Sequence, residues 1–264
     1  RRLAAADAPA SPAGEYAGLK FGIQSYSLRD RPFDKALAAL KDDLKLKFIE
    51  VYPNHLTGRS PDQVKEMLAA AGVAMTSYGV VPFKKDDAAN RKLFELARTY
   101  GLKTLACDPD DNKETFDSLE KLTEEFGVPV AIHPHGPAHK WGKVEQLKKA
   151  FDGRSPRIGL CADTGHLIRA GEDPLKVCEL FKDRLHSLHL KDFKKLDTKD
   201  KQGNDNWEDV PAGTANLDVD GLVKLLVGLK FAGHVYIEYE GKKPVESIEQ
   251  SLARVREAAK KATA

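Results

Sequence analysis

Four segments decide the fold: VPVAIHPHG (Val128–Gly136), IGLCADTGH (Ile158–His166), LHSLHLKD (Leu185–Asp192) and HVYIEYEG (His234–Gly241). Each is a short apolar run that stops at a His, Asp or Glu, and helix-like stretches separate them. A parallel barrel presents its catalytic residues in this way, at the C-terminal ends of its strands. Imidazoles and carboxylates converging on one point are also a donor set for a divalent cation.

Working outward, the same alternation runs along the chain. FGIQSYSL (from Phe21) precedes a helix over Phe33–Leu44, KFIEVYP (from Lys47) a helix opened by Ser60-Pro61, and VAMTSYGVV (from Val73) a helix over Asp86–Tyr100. LKTLACD (from Leu102) precedes a helix over Lys113–Phe126. The four quoted segments lead to helices over Lys143–Phe151, Asp173–Lys182, Val219–Leu229 and Pro244–Ala259. About eight strand–helix units of this kind predict a parallel sheet, and their total length predicts one closed (β/α)8 TIM barrel. An open doubly wound sheet is the alternative, but no glycine-rich phosphate fingerprint follows the first strand. Gly72, Gly101, Gly127 and Gly233 fall between a helix and the next strand, where a left-handed residue is expected to stop the helix. Residues 19–264 are expected to form the barrel and residues 1–18 a flexible tail. The connection from Asp192 to Asn216 is long, polar and placed just after a strand end, which predicts a loop over the active site.

The 264 residues hold 41% hydrophobic side chains, enough for a sizeable core. The formal net charge is +2, with Lys and Arg interleaved among Asp and Glu, so nothing calls for nucleic acid or an anionic membrane. No apolar run approaches the roughly 18 residues needed to span a bilayer. Cys107, Cys161 and Cys178 give no disulfide framework. The opening RRLAAADAPASPAGEYAG resembles the remnant of a secretory signal, which predicts a periplasmic or exported protein; a cytoplasmic enzyme with a disordered tail is the alternative.

The metal candidates are His133, Asp163, His189 and Glu238. His133 competes with His135, which shares its face; Pro134 ends the strand between them and favours His133. Asp163 could instead cap the turn at Thr164-Gly165. His186 competes with His189, and Glu240 with Glu238. Glu50, at the end of KFIE, is a candidate to bind substrate or to pair with a barrel cation. His55 and His139 read as loop histidines at the same mouth. His166, three residues past Asp163, is placed to touch substrate, and Trp207 to stack on a sugar face. Lys191 follows His189 by two positions. Beside a cation its pKa is expected to fall; neutral it could act as a base, charged it could stabilise an enediolate. A salt bridge to Asp192 or Glu238 is its structural alternative.

CADTGHLIRAGEDP, HSLHLKDF, VYIEYE and the approach VPAGTANLDVDGLVKLL resemble the xylose isomerase-like barrels, a superfamily of sugar phosphate isomerases and epimerases that includes ketose 3-epimerases, hydroxypyruvate isomerases, inosose dehydratases and endonuclease IV. The resemblance covers nearly the whole chain after the tail. It implies one divalent ion (Mn, Zn, Co, Fe or Mg) on His133, Asp163, His189 and Glu238. It also implies a small carbohydrate substrate contacted by His166, with His135, Glu50 and Trp207 as further candidates, and catalysis by Glu238, Lys191 and His166 through an enediolate. No nucleic-acid or membrane partner is implied, and a homo-oligomer is left open. One departure stands out. Ketose epimerases carry a Glu where this chain has His133, so the pair of opposed glutamates is missing. AIHPHG instead resembles an exported branch in which some members act on 3-keto-glycosides by elimination. Isomerase or epimerase chemistry is therefore the leading expectation and a β-eliminating lyase the runner-up. A non-catalytic sugar-binding barrel and a DNA-repair endonuclease come behind them; near-neutral charge argues against the last.

Overall fold

The computed structural model describes residues 14–264. The expected signal remnant and most of the expected tail lie outside the described residues. Residues 14–18 form a turn packed on the barrel: the Tyr16 ring lies 4.9 Å from that of Phe21, and its hydroxyl accepts a hydrogen bond from Arg256 at 3.2 Å.

Among the described residues, ten strands and nine α-helices follow in chain order. The strands are β1 (Lys20–Gln24), β2 (Phe48–Val51), β3 (Ala74–Phe83), β4 (Thr104–Pro109), β5 (Val130–Ile132), β6 (Ile158–Asp163), β7 (Leu185–Leu190), β8 (Asp192–Lys199), β9 (Asp205–Val210) and β10 (His234–Ile237). The helices are α1 (Phe33–Ala38), α2 (Pro61–Ala71), α3 (Asp87–Tyr100), α4 (Lys113–Phe126), α5 (Val144–Phe151), α6 (Thr164–Arg169), α7 (Pro174–Leu180), α8 (Val219–Gly228) and α9 (Pro244–Ala262). Eight strands close a parallel barrel in the order β1-β10-β7-β6-β5-β4-β3-β2, while β8 and β9 pair separately and antiparallel. This is a (β/α)8 TIM barrel. Its eighth wall strand is β10, because the β8–β9 ribbon is inserted after the seventh.

Local chemistry explains the boundaries. Ser60 and Gln63 cap α2 reciprocally, the Ser60 N–H donating to Gln63 Oε1 at 2.9 Å and the Gln63 N–H to Ser60 Oγ at 3.3 Å, a device worth about 1 kcal/mol. Gly72, Gly101 and Gly127 end their helices with φ of 65°, 64° and 68°, the left-handed turn that glycine adopts without a Cβ penalty. The expectation for Gly233 fails. Lys230, with φ of 52°, makes that turn after α8, and a Cβ on Gly233 would lie 2.4 Å from the His186 carbonyl, so glycine there answers a close backbone approach. The expected helix over Phe33–Leu44 is α-helical only to Ala38. A π turn follows, closed by Leu44 N–H on Ala39 O at 3.0 Å, and it places Leu40, Leu44 and Leu46 all in the core.

All six residues of β6 are buried, as expected of a barrel strand covered by side chains inside and helices outside. α9 turns Ile248, Leu252, Val255 and Ala259 inward at helical spacing; each fully buried Leu, Ile or Val contributes roughly 1.5–3 kcal/mol. Cys107, Cys161 and Cys178 are buried free thiols. No described helix is long and apolar enough to cross a membrane.

The expected loop over 192–216 is instead a β-ribbon, held at its root by one carboxylate. Asp192 Oδ2 accepts from the backbone N–H of Gly213 and Ala215, and Oδ1 from those of Asn216 and Leu217, at 3.0–3.1 Å. Asp192 therefore closes this return and does not pair with Lys191.

Candidate metal centre and active-site mouth

β5, β6, β7 and β10 are consecutive around the wall, and their C-terminal ends bring four side chains together. One donor atom each from His133, Asp163, His189 and Glu238 lie within 4.8 Å of one another, and all four residues are buried. Asp163 and His189 are direct register partners. His189 Nδ1 lies 2.9 Å from His133 Nε2, 3.2 Å from Glu238 Oε2 and 3.8 Å from Asp163 Oδ2. His133 Nε2 lies 3.3 Å from Asp163 Oδ2.

The tautomer of His189 is set from behind. Its Nε2 donates to Glu50 Oε1 at 2.8 Å, which leaves the Nδ1 lone pair facing the cluster. Glu50 is itself held by Gln24 Nε2 at 2.5 Å and Ser77 Oγ at 2.6 Å. Glu50 is fully buried with both oxygens engaged, so the structure places it beneath the centre as a partner of His189. It is not placed at the mouth where it would meet substrate.

Asp163 does two things at once. Oδ1 accepts from His166 N–H at 2.7 Å and caps α6, as the turn-cap reading expects. Oδ2 faces the cluster, buried and without a hydrogen-bond partner. A histidine proton shared between His133 and His189 can satisfy one acceptor, while Asp163 Oδ2 and Glu238 Oε2 both need a positive partner. A divalent cation would satisfy all four donors, so the residues present fit one. Protons compete for the same place. Burial works against a charged His189, yet the Cys161 thiol, Glu50 and Glu238 outweigh it and push its pKa well up. Burial likewise opposes charge on Asp163, but His166 and His133 hold its pKa well down. For Glu238, Lys191 and His189 overcome burial and lower the pKa to about 2.

Lys191 lies beside the cluster and is almost fully buried. Its Nζ contacts Glu240, and stands 3.7 Å from Glu238 Oε2 and 3.9 Å from Asp209 Oδ2. The expected fall in its pKa is reversed in the protein alone. Burial disfavours the charge, but Glu238, Asp163, Glu240 and Asp209 together raise it. Gly165 makes room for this side chain: a Cβ there would lie 2.9 Å from Lys191 Cγ and 2.8 Å from the Phe193 ring.

Around the mouth, the His135 ring lies 4.4 Å from that of His133, 5.3 Å from that of His166 and 4.9 Å from that of His139. His135 itself is exposed. His166 is largely buried, and burial lowers its pKa to about 4 despite Asp163. His139 pairs with Asp108 at 3.2 Å. His55 is not a solvated loop residue; it is buried, with Nδ1 2.9 Å from Ser25 Oγ. His186 bonds the Pro156 carbonyl at 3.0 Å, away from the centre. Trp207 is half-buried on β9, opposite Lys195. Two positions on is Asp209, on the same face of the ribbon. Sequence reasoning missed Asp209, Gln24 and Ser77, since each acquires its role only through a tertiary contact.

A closed parallel barrel with imidazole and carboxylate donors gathered at its C-terminal mouth is the class of fold and site that this chain presents. The chain belongs to the xylose isomerase-like TIM barrel family, whose profile matches residues 37–258. It is 28% identical over 140 residues to an inosose dehydratase of Clostridium perfringens (strain 13 / Type A), an alignment covering 48% of this chain and 46% of that protein. The match thus spans less than half the length of that curated relative. An uncharacterised protein of Parabacteroides distasonis ATCC 8503 has a similar structure, at a TM-score of 0.66 and 27% identity, covering 90% of this chain and 98% of the other. The 3-keto-D-glucoside 4-epimerase of E. coli shares the fold at a TM-score of 0.67 and 15% identity, covering 90% and 99%.

Proposed function

We propose that this chain is a divalent-metal-dependent enzyme that removes a proton α to the carbonyl of a small keto-sugar or keto-polyol and expels a β-oxygen substituent. The observation that carries the reading is the buried four-donor cluster with Asp163 Oδ2 unpartnered. The ion, held by His133, Asp163, His189 and Glu238, would supply Lewis-acid polarisation of the carbonyl. The protein's own groups divide the remaining work. The acidic groups Glu238, Glu240 and Asp209 gather on the Lys191 side, while His133, His135 and His166 line the other. Glu238 is the base in this scheme, and the Lys191 ammonium offsets the charge that develops on the substrate oxygen. The proton that Glu238 takes up is passed to the departing oxygen, and neutral His166 at the mouth can hold that oxygen by a hydrogen bond. One C–H and one C–O bond break, one C=C bond forms, and the leaving group departs protonated.

Isomerisation or epimerisation through the same enediolate is the second reading. It is supported by the shared fold of the 3-keto-D-glucoside 4-epimerase. Elimination is preferred because His133 occupies the place where an opposed carboxylate would be needed for two-base epimerisation, and because the inosose dehydratase resembles this chain. The test is to incubate the metal-loaded protein with inososes and 3-keto-glycosides in D2O. An unsaturated product supports elimination. Deuterium incorporated without loss of the substituent supports isomerisation. Neither outcome, with metal bound, sinks the enzymatic reading and leaves a sugar-binding barrel.

A further inference from the structure

The opposite end of the barrel holds a second cavity. A recess of about 740 Å³ opens at the N-terminal face, where the first residues of the strands line it, among them Lys20, Phe48, Thr104, Leu185 and His234. This face of a TIM barrel ordinarily serves stability. Here it carries an uneven charge. Lys20, Lys103, Lys182 and Lys230 stand on the rim with Asp183 as the acidic member, although basic (Lys and Arg) and acidic (Asp and Glu) residues are nearly equal in number over the whole chain. None of the four lysines is within ion-pair distance of a carboxylate among the described residues. Lys20 Nζ is instead held toward the recess by the Ala232 carbonyl at 3.0 Å.

The floor is aromatic and includes one imidazole. His234 is 6% exposed, lines the recess and has no hydrogen-bond partner among the described residues. Its ring meets the Phe48 ring edge-on at 4.9 Å and stacks on Tyr236 at 5.9 Å and 11°. Phe231 supplies a further apolar wall. An imidazole whose nitrogens open into the recess, beneath a rim of ammonium groups with no ion-pair partner among the described residues, is a set of donors suited to an anionic ligand.

We infer that this recess binds a small organic phosphate, its dianion among the rim lysines and its body against Phe48, Phe231 and His234. The site lies on the barrel axis below the metal centre. Tyr236 separates the two, its hydroxyl bonded to Thr76 at 2.8 Å and its ring 6.2 Å from that of His189. An occupant stacked on His234 would thus be separated from the metal centre by Tyr236. The inference stands on this geometry and is independent of the reaction proposed above.

The test uses the full chain at low ionic strength, with phenyl phosphate as probe and phenol as its uncharged counterpart, followed by titration calorimetry. Phenyl phosphate is expected to bind once per chain and more tightly than phenol, and to weaken as salt is added. Lys103→Glu with Lys182→Glu should reduce its affinity by about tenfold or more, and His234→Phe, which keeps the stack, should also weaken it. Asp163→Ala should leave it unchanged. Thermal melting of the lysine variant checks its fold, and the Ala pair replaces the Glu pair if it melts early. Absence of binding to the wild type, equal binding of phenol, or equal affinity in the lysine variants overturns the inference. So does loss of binding in Asp163→Ala alone, which would put the probe at the metal end.

Discussion

Replacing Glu50 by Gln tests the centre where its geometry is most specific. The carboxylate accepts from His189 Nε2 at 2.8 Å in a fully buried position, and this bond leaves Nδ1 free as a donor to an ion. Gln keeps the shape and can still accept through its amide oxygen, but a charge-assisted hydrogen bond becomes a neutral one. Bonds to charged groups contribute about 1.5–3 kcal/mol and neutral ones about 0.5–1.5, so roughly 1–1.5 kcal/mol of support for His189 is lost. That corresponds to about a tenfold weaker ion, at the lower edge of the 10- to 100-fold range typical of groups behind a metal ligand. Glu50→Ala should do more, since His189, Gln24 and Ser77 would all lose their acceptor, and a stability loss of about 3–5 kcal/mol is expected. Competition of Zn or Mn against a chromophoric chelator reads the affinity, and urea unfolding reads the stability. Unchanged metal affinity in Glu50→Gln, together with a raised KM, would refute the argument and make Glu50 a substrate contact.

Four further outcomes are expected. Metal uptake should release protons and weaken as pH falls through the raised pKa of His189, because a protonated imidazole cannot donate to an ion; potentiometric titration during Zn addition checks it. His234 has its pKa lowered to about 4 by burial and by Lys20 and Lys103. The unfolded chain therefore takes up a proton before the folded one, and stability should fall as pH drops from 6.5 towards 4; His234→Phe should flatten that part of the curve of unfolding free energy against pH. Asp192→Ala removes the acceptor of four backbone N–H groups and should cost about 3 kcal/mol or more in chemical unfolding. Lys191→Met should lower kcat by about 100-fold or more with metal content retained; equal kcat would remove Lys191 from the chemistry.

How much of this was legible before folding depends on the range of the interaction. The strand ends at His133, Asp163, His189 and Glu238 could be read because an apolar run that stops at a donor is a local pattern, and the barrel turns that pattern into convergence. The cap of α2 was legible for the same reason, in Ser60-Pro61. Glu50 was visible as an acid at a strand end, but its partner His189 lies 139 positions away, and no spacing rule connects them. The β8–β9 ribbon was hidden because its strands are charged on both faces, so the period-two signal of a half-buried strand is absent. Gly233 misled because a glycine between helix and strand looks the same whether it supplies a left-handed turn or a close approach.

The reversal at Lys191 shows what the ribbon contributes. Considered with the ion alone, the lysine should lose its proton, and the local sequence offers Asp192 to retain it. Asp192 is already committed to four backbone donors. The counter-charges come instead from Glu238 and Glu240 at the end of β10 and from Asp209 on the ribbon. An ion in the cluster would draw on Glu238 and Asp163, which leaves Glu240 and Asp209 as the groups that balance the ammonium. Asp209 also accepts from the Glu240 backbone N–H at 2.9 Å, so the ribbon fixes the position of the residue it assists. Asp209→Asn should then lower activity without changing metal content, and should shift the alkaline limb of the pH–rate profile to lower pH, since Lys191 would lose one of its counter-charges. A fall in metal content matching the fall in rate would instead make Asp209 part of the metal's own support and remove the ribbon from the chemistry.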